Sequence, residues 1–132
     1  GVEETLRRLR GKVLMGVVTS SRREHFEIIH SGTGLLHFFD FVLTREDYGK
    51  PKPNPEPFLT AIIRNRLQPK HCIIVEDSER GLAAAKAAGI RCMVVPNRLT
   101  RDGNFSGAYR VLENVREVTG EVFQRIGHCY RL

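Results

Sequence analysis

The stretch CIIVEDSERGLAAAKAAGIRCMVVP, residues 72–96, decides the fold. It opens with an uncharged, β-branched run at 72–75, the pattern of a strand buried on both faces of a parallel sheet. Glu76 and Asp77 follow, then Ser78, whose hydroxyl suits the cap of a new helix. Ala83, Ala84, Ala87 and Ala88 predict a small helix face that packs closely, and Gly89 ends it. A second apolar run, 92–95, is stopped by Pro96. Strand, helix and strand in about 25 residues make one β-α-β unit, which joins parallel strands.

The flanking sequence repeats this alternation. Upstream, residues 3–10 predict a short amphipathic helix carrying Leu6 and Leu9 and ended by Gly11. Residues 13–18 form an apolar strand broken by Thr19-Ser20-Ser21. A helix over 22–30 then turns Phe26, Ile29 and Ile28 inward. Residues 41–43 are a short strand candidate. The run GKPKPNP, residues 49–55, must be a loop, because its alternating prolines suit neither a helix nor a central strand. A helix starts near Pro55 and runs to about Leu67. Downstream, 97–107 is rich in turn residues, and 112–126 has helical periodicity weakened by Gly120.

Composition narrows the classes. With 132 residues, 41% apolar and 27% charged, the chain supports one hydrophobic core. No apolar run reaches the roughly 20 residues of a membrane-spanning helix, and no secretory leader pattern is visible. The formal charge is +6, but the basic residues are scattered and lack interleaved aromatics, which favours a solvated surface over a nucleic-acid face. Cys72, Cys92 and Cys129 have no zinc-ligand spacing, and Cys72 and Cys92 read as small buried hydrophobes. Reduced thiols and a cytoplasmic setting are the expectation.

In an open parallel α/β sheet, chemistry gathers beyond the C-terminal strand ends. Those ends bring Thr19-Ser20-Ser21, residues 44–50, Glu76-Asp77 and Pro96-Asn97 to one edge. Hydroxyls, a lysine and a carboxylate pair suit a phosphate and a divalent cation. Bland readings stand beside these. The hydroxyls can cap the following helix, the lysines can be surface decoration, and the acids can be charges in a first helical turn. The five histidines form no nucleophile or metal spacing. Asp47 and Asp102 read as turn or surface residues, and Arg23 as an exposed helix position.

The strings VVTSS, YGKPKPNPEPF and IIVEDSERGLAAAKAAGI, in this order and each after a strand, resemble the second, third and fourth motifs of the haloacid dehalogenase superfamily. The likeness is to its phosphoglycolate phosphatase and β-phosphoglucomutase branch, and it runs from the first helix to about Leu112. It implies an α/β, Rossmann-like open parallel sheet with flanking helices. By this resemblance Thr19 bonds the transferring phosphoryl group, with Ser20 and Ser21 as further donors. Lys50 matches the lysine that bridges phosphate and carboxylates, and Lys52 is expected to face solvent. Asp77 matches the Mg²⁺ ligand. Glu76 is either a second ligand or a helix charge.

The family's first motif, a DxDx[TV] string whose first aspartate attacks phosphorus, has no match. The four aspartates are Asp40, Asp47, Asp77 and Asp102, and no two form a DxD pair. The resemblance therefore describes a partial core domain over 1–132 with no cap domain. It also implies a missing central strand between those ending at Thr19 and Asp77: an N-terminal segment supplies it, which is the favoured reading, or the two strands close on each other, or a second copy fills the gap. The function implied is Mg²⁺-dependent hydrolysis of a small phosphorylated metabolite by the complete protein, this chain alone being inactive. A phosphomutase, or a phosphate-binding or interaction module that has lost the nucleophile, is the alternative. Neither nucleic acid nor membrane is an expected partner.

Overall fold

A computed structural model describes the backbone of residues 1–130 and the side chains of residues 1–124. Helix α1 (Val2–Leu9) precedes strand β1 (Gly16–Val18), helix α2 (Arg23–His30) and strand β2 (Phe41–Leu43). Helix α3 (Glu56–Arg64), strand β3 (Ile73–Glu76), helix α4 (Glu79–Ala88) and strand β4 (Arg91–Val94) follow. Strand β5 (Arg110–Val111) and helix α5 (Glu117–Tyr130) complete the order. All strand pairs are parallel, so the expected α/β class with flanking helices is what forms.

The strands lie in two groups, β1-β2 and β3-β4-β5. Gly16 registers with Phe41 in the first, and Ile73 with Arg91 and Met93 with Arg110 in the second. No ladder joins β1 to β3 among the described residues. Each therefore keeps one edge without a strand partner among the described residues.

The core forms on both faces of β4, because its side chains alternate. Cys92 and Val94 pack with Phe58, Leu82, Ala84, Ala85 and Ile90. Met93 faces the other way, toward Leu112 and Val118. Burial pushes the Cys92 thiol up to about 12, in keeping with a small hydrophobe. Ser78 caps α4 by accepting from the Gly81 N–H at 3.2 Å, and Gly89 ends it at φ 74°, where a side chain would be strained.

Several expectations are corrected. Ile28 and Ile29 point outward, 66% and 63% exposed. The inward line of α2 is one turn of helix, from Phe26 to His30, whose rings lie 4.4 Å apart. Val75 is 45% exposed, so β3 is not buried on both faces. On α4 the buried alanines are Ala84 and Ala85, while Ala83 and Ala87 face outward. The last helix starts at Glu117 and not near Leu112, because Asn114 and Glu117 close a turn there. Asn114 accepts from Arg116 N–H, and the Glu117 carboxylate accepts from the N–H groups of Glu113 and Asn114. The Cys129 side chain lies outside the described residues. Among the described residues no helix is long and apolar enough to cross a membrane.

Asp47 ties α2, the end of β2 and α3 together. Its carboxylate accepts from the Thr44 N–H at 2.7 Å, from Arg64 at 2.8 Å and from Arg23 at 3.3 Å. The Thr44 N–H, then Arg64, hold this carboxyl below its ordinary value of 3.8. A depressed carboxyl stabilises the fold fully above 3.8 and loses that contribution as the pH falls through its folded value. Asp47→Asn is expected to lower the urea midpoint at neutral pH, with the gap to wild type closing on acidification below 3.8. Met93→Ala, at a fully buried position, should cost about 2–5 kcal/mol in urea unfolding.

Candidate functional site

Thr19 sits at the end of β1 because its N–H still pairs with Leu43 O of β2, at 3.0 Å. Alternate residues of a strand bond to opposite sides, so the Val18 carbonyl points to the edge away from β2. The Thr19 hydroxyl accepts from the Ser21 N–H at 3.1 Å, and its carbonyl accepts from the Tyr48 hydroxyl at 2.8 Å. None of Thr19, Ser20 and Ser21 caps α2. The Glu46 carboxylate does so from outside, accepting from the Arg23 N–H at 3.0 and 3.2 Å. The Arg23 N–H, the largest cause, holds the Glu46 carboxyl below its ordinary range. The hydroxyls are thus left at the strand end, with Ser20 exposed and Thr19 and Ser21 half-buried.

The lysine at this edge is Lys52. Its ammonium donates to the Val18 carbonyl at 3.1 Å and to Glu76 Oε2 at 2.7 Å. The two side chains are only 12% and 10% exposed. The expectation that Lys52 faces solvent is therefore corrected. Its stem crosses Phe58, with the ammonium 5.0 Å from the ring centre, an apolar path that lets a long cation reach inward. Lys50 is exposed, and its backbone N–H donates to Glu56 at 2.8 Å. The structure thus places Lys52, not Lys50, with Glu76.

Glu76 turns its carboxylate back over the first turn of α4. A Cβ on Gly81 would lie 2.0 Å from Glu76 Oε1, so glycine is required there for the side chain to fit. Asp77 is exposed and accepts from Asn97 Nδ2 at 3.0 Å. The Asn97 amide is oriented by its other end, whose oxygen accepts from the N–H groups of Leu99 and Thr100. This tether went unread because a lone Asn after Pro96 reads as an ordinary turn residue. A shallow depression lined by Ser78, Arg80, Leu99, Thr100 and Asp102 adjoins this edge. A second depression lies at the far end of β1, among Arg10, Met15, His37 and Asp40.

Thr19, Lys52, Glu76 and Asp77 therefore share one edge, as the strand ends predict for the first, third and fourth. Among the described residues no group of three His, Cys, Asp or Glu side chains is placed to hold a metal. Two hard carboxylates still suit Mg²⁺, which commonly takes one or two carboxylates and completes its shell with water and substrate phosphate. Asp77 is the more available of the two, since Lys52 engages Glu76.

Known proteins share this fold and much of this sequence. The family model for haloacid dehalogenase-like hydrolases matches residues 1–95. Validoxylamine A 7'-phosphate phosphatase of Streptomyces hygroscopicus subsp. limoneus is 37% identical over 94 residues, 70% of this chain and 44% of that protein. The fructose-1-phosphate phosphatase YqaB of Escherichia coli is 36% identical over 80 residues, 61% of this chain and 43% of its own. The crystal structure of CbbY from Rhodobacter sphaeroides in complex with phosphate superposes with a TM-score of 0.81 at 29% identity. That match covers 89% of this chain and 54% of CbbY. A β-phosphoglucomutase from Clostridium difficile, at 24% identity and TM-score 0.79, shares the fold over 98% of this chain and 56% of its own. The chain spans about half the length of these relatives. With the family model covering 95 of the 132 residues, the chain belongs to the haloacid dehalogenase-like hydrolases, in their phosphatase and phosphomutase branch.

Proposed function

We propose that this chain forms the phosphate- and metal-facing part of a Mg²⁺-dependent phosphomonoester hydrolase. The observation that carries the reading is the Lys52 ammonium at the strand gap, 2.7 Å from Glu76 and on the edge that holds Thr19 and Asp77. A phosphate dianion entering there meets a fixed cation and hydroxyl donors instead of a wall of carboxylates. Preorganised charge of this kind contributes most of the acceleration in phosphoryl transfer. Asp77, with Glu76 beside it, would hold Mg²⁺, which offsets charge on the phosphoryl oxygens.

The nucleophile comes from outside these 132 residues. Asp40 accepts from the Met15 N–H ahead of β1, away from this edge. Asp47 is held by Arg23 and Arg64, and Asp77 faces Asn97. Asp102 is exposed, on the depression beside α4. An aspartate on a strand between β1 and β3, supplied by an N-terminal segment or a second copy, would attack phosphorus and release the alcohol. Water would then hydrolyse the acyl phosphate. Hydrolysis is preferred over mutase chemistry because two relatives at 36–37% identity are phosphatases by name. The substrate class is a small phosphorylated metabolite, since validoxylamine 7'-phosphate, fructose 1-phosphate and, for CbbY, xylulose-1,5-bisphosphate are the ligands named for relatives.

The test is phosphate release by the native protein, isolated from its source cells, from a panel of small phosphomonoesters with Mg²⁺. Activity should vanish with chelator and return with Mg²⁺. Asp77→Asn and Lys52→Met should each lower kcat by about 100-fold or more, and the 132-residue chain alone should release none. A native protein that releases phosphate from no member of the panel would overturn the reading.

A further inference from the structure

The loop that carries Lys52 has little means of holding its own shape. Pro51, Pro53 and Pro55 remove three of its N–H donors, and a run of this kind joins no strand ladder. Both N–H groups at its entrance, those of Gly49 and Lys50, donate to one oxygen of Glu56. Glu56 stands at the loop's exit, in the first turn of α3, where its own N–H donates to Asn54 Oδ1 at 2.9 Å. The Asn54 N–H closes the interior of the loop on the Pro51 carbonyl at 3.0 Å. From α4, Arg80 donates to the Lys52 carbonyl at 2.6 Å.

We propose that Glu56 is a positioning residue whose carboxylate clasps the loop entrance to the helix that follows, and so sets Lys52 at the gap between β1 and β3. The geometry gives the reason. A lysine stem is flexible, and its ammonium reaches Val18 O and Glu76 only if the Lys52 backbone is held over Phe58. Arg80 fixes one point of that backbone. The entrance of the loop is fixed by Glu56, through bonds to a charged acceptor, which are the stronger kind. Consistent with this, the Lys50 and Gly49 N–H groups, in that order, hold the Glu56 carboxyl below its ordinary range, so the acceptor stays ionised. Gly49 leaves room for it, since a Cβ there would come within 2.8 Å of Glu56 Oε2.

This inference deepens the hydrolase reading and rests on it for its catalytic meaning, but its test reads the position of Lys52 directly. The protein is treated with an amine-acylating ester, and the labelling rates of Lys50, Lys52 and Lys86 are followed by peptide mass spectrometry. In the wild type, Lys52 should react slowly and Lys50 quickly. Glu56→Ala should speed Lys52 labelling by about tenfold, and Glu56→Gln, which keeps a neutral acceptor, should fall between. Lys86, which donates to Ser106 O at the far side of α4, should not change, which separates local release from general loosening.

Unchanged Lys52 labelling in both variants overturns the inference, whatever the enzyme does. Faster labelling of Lys52 and Lys86 together overturns it also, as the mark of a merely structural residue. Faster labelling of Lys52 alone, in a native protein with no phosphatase activity, upholds the clasp and sinks the hydrolase. In an active protein the same variant should lower kcat by about tenfold, with partial rescue in Glu56→Gln.

Discussion

One ammonium group bridges the two strand groups at their C-terminal edge, above the apolar core that joins them. Lys52 reaches Val18 O on β1 and Glu76 on β3, the two strands that have no ladder between them. A backbone carbonyl at an unpaired strand edge needs a donor, and a carboxylate with so little solvent access needs a cation. Lys52 meets both needs at once. Phe58 contributes a face under the charge, which stabilises a desolvated ammonium further. Desolvating two ions costs several kcal/mol, so the pair is poor as a device for stability alone. A conventional ladder would satisfy the Val18 carbonyl with no charge. Under the proposed hydrolase reading, the buried cation serves as a fixed charge facing an anion.

The surroundings of that contact are arranged to keep it in place. Glu76 can turn toward Lys52 only because Gly81 leaves space over the first turn of α4. Ser78 caps the same turn by accepting from the Gly81 N–H. Asn97 holds the neighbouring Asp77 by an amide whose orientation is set by two backbone donors. On the other side, Tyr48 donates to the Thr19 carbonyl and steadies the end of β1. Each support comes from a loop or a helix start at the C-terminal strand ends, where an open α/β sheet concentrates groups that bind.

The parts legible in the sequence were those with strong local physics. The apolar runs at 72–75 and 92–95, the serine cap and the glycine stop specified a parallel β-α-β unit, and β3, α4 and β4 form there within a residue or so. Strand β5 was invisible because it is two residues long, with Arg110 and Val111 both exposed, and carries no periodicity. Ile28 and Ile29 misled because apolar spacing on a helix says nothing of what is available to cover it. The two lysines of GKPKP could not be told apart by residue type. Which one turns inward depends on Phe58 and Glu56 in the first turn of α3 and on Arg80 in the first turn of α4, and that is tertiary information.

The same geometry says what completing the sheet must do. The Val18 carbonyl points to the open edge of β1, so a strand pairing there offers an N–H to that oxygen. The ammonium of Lys52 would then be released from one of its two acceptors, free to turn its charge to whatever lies at the end of that strand. A carboxylate at that position meets a cation already held over Phe58 and already facing Glu76. Pairing of such a strand with β1 and assembly of the charged edge would therefore be one event, not two. The free energy of burying that strand would offset the cost of gathering three charged side chains into a small space.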